Sequence, residues 1–125
     1  MLSTRALLSK SLLMIKQTLN KVEQSNAIYL PSTVIGELYY GAYNSNRVTK
    51  NIKQIEELIE STPILDSNIV TAKEYGIIKK DLKIKGTPIP ENDIWISAIA
   101  IQFDLKLAGR DDHFKYIDSL NYEEW

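Results

Sequence analysis

Short apolar runs alternate along this chain with longer stretches of helical periodicity, and this alternation constrains the fold more than any other feature. The runs have the length of a buried strand, and proline or polar residues bound most of them. They are Ala27–Leu30, Pro63–Leu65, Leu105–Gly109 and the short terminal segment Tyr122–Trp125. Strands that alternate with helices need crossover connections, which produce a mostly parallel sheet. The sequence therefore predicts an α/β fold with the order α-β-α-α-β-α-α-β-α-β.

The first predicted helix runs from about Thr4 to Gln24 and ends at Ser25. Its apolar residues recur at steps of four and three; they are Leu8, Leu12, Ile15, Leu19 and Val22. The first 22 residues carry several basic residues and no acid, which is also typical of a transit peptide or a weak secretory signal. The apolar stretch is short and no small-residue cleavage site follows it, so we favour an ordinary amphipathic helix.

The remaining helices follow from the same periodicity and from capping residues. Pro31 ends a strand and is followed by a helix that carries Glu37. Gly86 is well placed to end the helix that begins near Ile69, and the almost continuously apolar segment from Asp93 to Phe103 predicts a buried helix. A further helix runs from about Val48 to Glu60.

Composition limits the chemistry available to the chain. Its 125 residues predict a single domain spanning residues 1–125, and the lack of cysteine excludes a thiolate zinc site and fits a reducing, cytoplasmic location. His113 is the single histidine, so a zinc site with several imidazole ligands is also excluded. A bound metal would need oxygen ligands, which favours Mg²⁺ or Mn²⁺. No apolar run is long enough to cross a membrane.

Charge composition does not identify a substrate. The net charge of −1 does not suggest a large basic face for nucleic acid. It leaves open an enzyme that meets RNA through a small patch and a metal ion.

Three carboxylates lie where strand-to-helix junctions or first helical turns are predicted: Glu37, Asp93 and Asp111. Glu37 and Asp111 follow strands, and ligands bind outside the carboxyl ends of the strands in an open parallel sheet. The rigid loop between Pro88 and Pro90 could direct Asp93 into the same crevice. Clustered carboxylates raise one another's pKa, and a divalent cation removes that penalty and can support phosphodiester hydrolysis.

Each of these residues has a plainer explanation when taken alone. Asp93 could cap its helix, and Asp111 with Asp112 could form a turn. Glu37 could complete a capping box with the preceding Ser32 or Thr33. We expect His113 to be a packing or hydrogen-bonding residue rather than a ligand. The occurrence of all three acidic segments in this order favours a shared site.

Three segments together resemble the PIN domains of VapC-type toxins, the ribonuclease partners in bacterial toxin–antitoxin pairs. They are Ile28–Gly41, Pro88–Ala98 and Leu105–Phe114, and Tyr122–Trp125 also fits. The resemblance extends from about residue 20 to the end of the chain. Each motif alone is weak, but the combination is specific.

The resemblance implies an α/β/α sandwich and a metal-dependent endoribonuclease that cleaves RNA at a Mg²⁺ or Mn²⁺ site. It also implies a homodimer and inhibition by a cognate antitoxin protein. Carried over to this chain, Glu37, Asp93 and Asp111 would be the catalytic and metal-binding acids. Asn92 and Asp112 would assist through water.

The chain departs from the family pattern in two ways. Family members begin with a hydrophobic strand ending in an Asp-Thr-Asn motif, whereas no acid precedes Glu23 here and the segment Met1–Leu7 does not suggest a strand. Gly109 also replaces a polar residue that often precedes the Arg-Asp pair. We therefore expect an N-terminally truncated toxin that lacks a central strand and the first aspartate, with weakened activity.

Two alternatives follow from these departures. The first is a catalytically inactive PIN remnant that binds an antitoxin or dimerises. The second is a helix-rich α/β domain in which the acids are only caps.

Overall fold

A five-stranded, fully parallel sheet forms the centre of the protein, seen here in a computed structural model that describes residues 5–21 and 27–125. The strands are β1 (Arg5–Ser9), β2 (Ala27–Pro31), β3 (Ile64–Leu65), β4 (Lys106–Gly109) and β5 (Tyr122–Glu124). The helices are α1 (Leu12–Lys21), α2 (Ser32–Tyr43), α3 (Val48–Ser61), α4 (Ile69–Lys85) and α5 (Glu91–Gln102). A 3₁₀ helix, Asp112–Tyr116, lies between β4 and β5.

The strand order β3-β2-β1-β4-β5 gives a doubly wound arrangement. The chain first moves outward from β1 through β2 to β3, and then returns to the other side of β1 to form β4 and β5. Because crossover connections in parallel sheets are right-handed, the helices before and after this reversal cover opposite faces. The result is the predicted three-layer α/β/α sandwich.

The first strand corrects two predictions. We predicted a helix from about Thr4 to Gln24, but Arg5–Ser9 form β1 and α1 begins only at Leu12. The expectation that the chain lacks the central strand is therefore also wrong, since β1 pairs with both β2 and β4. The predicted helix boundaries at Thr4 and at Gln24–Ser25 lie outside the described residues.

The apolar residues of β1 explain why the helical pattern was misleading. Ala6, Leu7 and Leu8 are consecutive and have no exposed surface, which is typical of a parallel strand covered on both faces. Leu8 at the end of this run falls in phase with the stripe on α1. A continuous short run and a helical stripe cannot be separated by periodicity alone.

The other predicted strands and helices are confirmed within one to three residues at most of their ends. Helix α4 begins with a capping box between Asn68 and Thr71 and ends at Gly86, whose φ of 70° places it in the left-handed region that glycine favours. Helix α5 is buried along most of its length, as its apolar sequence predicted.

The core consists of one large cluster around β1, β2 and β4 and a smaller one around α4 and α5. The large cluster includes Leu7, Leu30 and Leu107, which are fully buried on the three central strands. Ile78 and Ile94 belong to the smaller cluster. Within residues 5–21 and 27–125, none of the helices combines the length and hydrophobicity needed to cross a bilayer.

Candidate active site

A cleft of about 830 Å³ lies at the carboxyl-terminal edge of the central strands. Its wall combines residues that follow β1 and β4 with residues from α2 and α5, including Ser9, Lys10, Glu37, Asp93 and Asp111. The ends of β1 and β4 are adjacent because Ser9 pairs with Gly109 in the parallel register. The cleft therefore occupies the position where open parallel sheets bind ligands.

Asp93 lies in the first turn of α5 and its side chain is largely buried, with 13% exposed. The helix cap is Pro90, and no side chain caps this helix, so Asp93 does not have the capping role considered as an alternative. Instead, its Oδ2 lies 3.1 Å from Nδ1 of His113. Asp93 is thus positioned by α5 to face the residues that follow β4.

Asp111 has two roles in the structure. Its Oδ1 accepts a hydrogen bond of 3.0 Å from the backbone N–H of His113 and so caps the 3₁₀ helix, as the turn interpretation predicted. The same oxygen lies 2.8 Å from Nδ1 of the His113 ring. The backbone N–H of Asp111 donates to the Tyr122 hydroxyl at 3.2 Å, which ties this residue to β5.

His113 brings the two aspartates into one group. One ligand atom from each of Asp93, Asp111 and His113 lies within 4.8 Å of the others. The expectation that His113 is a hydrogen-bonding residue is consistent with these contacts. Sequence patterns alone gave no reason to place its ring between the two carboxylates, because that depends on the 3₁₀ turn.

Glu37 lies on the rim of the same cleft, in the second turn of α2. This helix has Pro31 as its N-cap and no side-chain cap, so a capping box with Ser32 or Thr33 is not formed. Partial burial and then the negative charge of Asp93 raise the pKa of Glu37, whereas a hydrogen bond from the Asn92 side chain lowers it. Glu37 and Asp93 are therefore close enough to interact, and Asn92, for which we expected a role through water, hydrogen-bonds Glu37 directly.

Burial and a neighbouring carboxylate both disfavour the charged form of Asp93. Its pKa is raised, mainly by burial and further by the charge of Asp111, although the hydrogen bond to His113 and the charge of its ring oppose this effect. A partly buried carboxylate beside another carboxylate is unfavourable without a compensating positive charge.

Asp112 does not contribute to this group. Its side chain is 85% exposed and forms an ion pair of 2.8 Å with Lys115 one turn along the 3₁₀ helix. The role in assisting the site that we expected for Asp112 has no support in these contacts.

The end of β1 supplies cleft residues that sequence reasoning missed. Ser9, Lys10 and Ser11 line the cleft where the family pattern has its Asp-Thr-Asn motif after the first strand. The Lys10 ammonium donates to Oγ1 of Thr18 at 2.9 Å and lies 5.7 Å from the centre of the Trp125 ring. Recognising β1 in the run Ala6–Leu8 would have revealed these residues.

The donor set fits a divalent cation. Asp93 and Asp111 supply carboxylate oxygens from separate segments, His113 supplies a ring nitrogen, and Glu37 adds a further carboxylate at the rim. Oxygen-rich groups of this kind bind hard divalent cations.

Comparison with known proteins identifies the family of this chain. The PIN domain family matches residues 10–120. Ribonuclease VapC2 of Haemophilus influenzae is 34% identical over 104 residues, which cover 82% of this chain and 79% of the relative. The tRNA(fMet)-specific endonuclease VapC of Salmonella typhimurium is 29% identical over 97 residues, which cover 77% of this chain and 74% of the relative.

Solved structures show the same fold at lower sequence identity. VapBC2 from Rickettsia felis, bound to a DNA fragment from its promoter, superimposes with a TM-score of 0.86 and 24% identity and covers 98% of this chain and 99% of that chain. VapBC-1 from nontypeable Haemophilus influenzae has a TM-score of 0.83 and 23% identity and covers 98% of each chain. The chain therefore belongs to the PIN-domain family of VapC-type ribonucleases.

Proposed function

We propose that this protein is the endoribonuclease toxin of a toxin–antitoxin pair and hydrolyses RNA phosphodiesters at a Mg²⁺ or Mn²⁺ site in the cleft. The main support is the convergence of Asp93 and Asp111, which are distant in sequence, at the carboxyl-terminal edge of the sheet. Glu37 lies at the same cleft and interacts with Asp93. Family membership supports the activity, and the geometry of the cleft supports the choice of these residues.

Asp93 and Asp111 would hold the cation, with Glu37 as a third acid. When bound, such a cation lowers the pKa of water and offsets the charge that develops on a phosphodiester. Glu37 borders the cleft beside Asp93, and its carboxylate would accept a proton from the attacking water. Asn92 holds Glu37 at the rim of the cleft through its hydrogen bond.

The proposed macromolecular partner is a cognate antitoxin. The similar solved structures are VapBC assemblies. Leu13 lines the cleft, and Tyr40 and Tyr43 lie on α2 near it, and all three are large apolar side chains that are more than 60% exposed. Such surface suits an apolar partner segment lying across the active site.

A homodimer is also proposed, and the exposed apolar stripe on α4 is a candidate interface. Val70, Ile77 and Ile84 lie seven residues apart and are 51%, 56% and 73% exposed. This spacing places them on one side of the helix. Ile77→Glu should shift the protein to the monomer in size-exclusion chromatography, whereas a dimer that persists would exclude this stripe.

The residues at the end of β1 also support the alternative of a PIN domain that binds an antitoxin but does not cleave RNA. The end of β1 presents hydroxyl groups and an ammonium group to the cleft instead of a carboxylate. A protein with this change could retain antitoxin binding without cleavage.

Cleavage of RNA by purified, antitoxin-free protein distinguishes these functions. The assay uses tRNA(fMet) and total RNA with Mg²⁺ or Mn²⁺, and compares the protein with Asp93→Asn and Asp112→Asn. We expect Asp93→Asn to lose at least about 100-fold in rate, since metal ions contribute several kcal/mol to such reactions. Asp112→Asn removes the same charge outside the site and should keep its activity.

The opposite results have clear meanings. Equal cleavage by Asp93→Asn, or cleavage that persists after chelation with EDTA, would contradict the proposal. If the unmodified protein cuts no RNA with either metal but binds its antitoxin, and Asp93→Asn binds equally well, the non-catalytic alternative is correct.

A further inference from the structure

We propose that His113 is a direct ligand of the cation, so that Asp93, Asp111 and one imidazole nitrogen form the site. This inference rests on the function proposed above and specifies the site further. The ring nitrogen would replace the carboxylate that the family pattern places after the first strand.

The distances around His113 match those between neighbouring ligands of one cation. In octahedral coordination with bonds of about 2.1 Å, adjacent ligand atoms lie about 3.0 Å apart. Nδ1 of His113 lies 3.1 Å from Oδ2 of Asp93 and 2.8 Å from Oδ1 of Asp111. These two distances suit adjacent ligands of one cation, and the three ligand atoms all lie within 4.8 Å of one another.

The end of β1 explains why a replacement ligand is needed. Ser9 and Ser11 offer neutral hydroxyl groups, and Lys10 adds a positive charge to the cleft wall. No carboxylate follows β1 within the described part of α1. His113, which projects from the 3₁₀ helix after β4, reaches the aspartates from the adjacent strand end instead.

A nitrogen ligand changes which cation the site prefers. Mg²⁺ strongly favours oxygen ligands, whereas imidazole suits transition metals, and Mn²⁺ accepts both donor types. The structure thus indicates a site selective for Mn²⁺ and later divalent transition metals over Mg²⁺. This differs from the sequence-based expectation of a site built only from oxygen ligands.

Pulsed EPR of bound Mn²⁺ tests this inference directly. His113 is the only histidine in the chain, so in untagged protein any imidazole nitrogen coupled to Mn²⁺ must come from it. We expect ¹⁴N modulation that changes to the ¹⁵N pattern when histidine alone is ¹⁵N-labelled. His113→Gln should abolish the modulation and weaken Mn²⁺ binding by at least about 10-fold while changing Mg²⁺ binding less.

Lys115→Gln is the matched control, because Lys115 lies on the same 3₁₀ helix and pairs with Asp112 outside the cleft. It should leave the nitrogen coupling and both affinities unchanged. If His113→Gln fails to fold, the labelling result on the unmodified protein still decides the question.

The outcomes separate this inference from the proposed function. Mn²⁺ that binds without imidazole coupling, and is released by Asp93→Asn, overturns the role of His113 and leaves the carboxylate site intact. Failure of Mn²⁺ and Mg²⁺ to bind at all overturns both.

Discussion

The ends of β1 and β4 lie side by side, yet they carry different chemistry. Ser9 and Gly109 are paired in the sheet, so both strand ends open into the same cleft. The residues after β4 present Asp111 and His113, and the His113 ring contacts both Asp111 and Asp93. The end of β1 presents Ser9 and is followed by Lys10 and Ser11.

This difference shows that different residues determine where the site lies in the fold and which chemical groups it contains. The position of β1 depends on Ala6, Leu7 and Leu8, which are completely buried between its two neighbours. The chemistry depends on the residue that follows the buried run, which packing does not constrain. A strand end can therefore lose its acid while the fold remains intact.

The largest expected effect concerns the position of β1. Leu7→Ala removes a fully buried side chain from the central strand and should lower the free energy of unfolding by about 2–5 kcal/mol. Leu13→Ala is the control, since Leu13 is 66% exposed on α1. Urea unfolding that shows equal, small effects for both would contradict the central position of β1.

A smaller effect is expected where the two strand ends touch. A Cβ atom at Gly109 would lie 3.1 Å from the backbone oxygen of Ser9. Gly109→Ala should therefore cost about 1–3 kcal/mol through overpacking. Gly76→Ala on α4 meets nothing within 4 Å and should instead stabilise the helix by about 0.5–1 kcal/mol. If thermal unfolding shows that Gly109→Ala and Gly76→Ala both stabilise the protein, the close approach of Gly109 to Ser9 is disproved.

Restoring the acid after β1 should reduce the chemical difference between the strand ends. Ser9→Asp places a third carboxylate on the cleft wall and should tighten Mn²⁺ or Mg²⁺ binding by about 10-fold, or about 1.4 kcal/mol. Ser119→Asp adds the same charge on an exposed residue outside the cleft. Calorimetric titration that finds the two variants equal would show that Ser9 does not face the cation.

The pH dependence of stability should report the burial of Asp93. Its raised pKa means that the folded, metal-free protein binds a proton more tightly than the unfolded chain, so ionisation destabilises the fold. Stability should fall as the pH rises from the unfolded pKa of about 3.9 through the folded value. In EDTA, Asp93→Asn should be more stable than the unmodified protein at pH 7 and lose this advantage near pH 3. If the stability difference between Asp93→Asn and the unmodified protein stays constant from pH 3 to pH 7, the raised pKa of Asp93 is contradicted.

The sequence predicted most of the fold because its strands and helices carry local signals. Gly86 is an example, since it was predicted to end the helix that begins near Ile69 and it forms the C-cap of α4 in the structure. β1 was missed because Leu8 belongs equally to a buried strand and to the helical stripe of α1. A parallel strand covered on both faces has no alternation to distinguish it.

The order of strands and helices was enough to predict which acids share the cleft, but not how their side chains contact His113. Strand ends in a parallel sheet share one edge, which was enough to bring Asp93, Asp111 and Glu37 to one cleft. The contacts of His113 with both aspartates depend on side-chain geometry in a short 3₁₀ turn, and no sequence pattern specifies that.

Anomalous diffraction from crystals grown with Mn²⁺ tests the central claim most directly. We predict a single strong peak in the cleft, within coordination distance of the Asp93 and Asp111 carboxylates. A cleft without a peak, or Mn²⁺ bound only away from these two residues, would contradict the account.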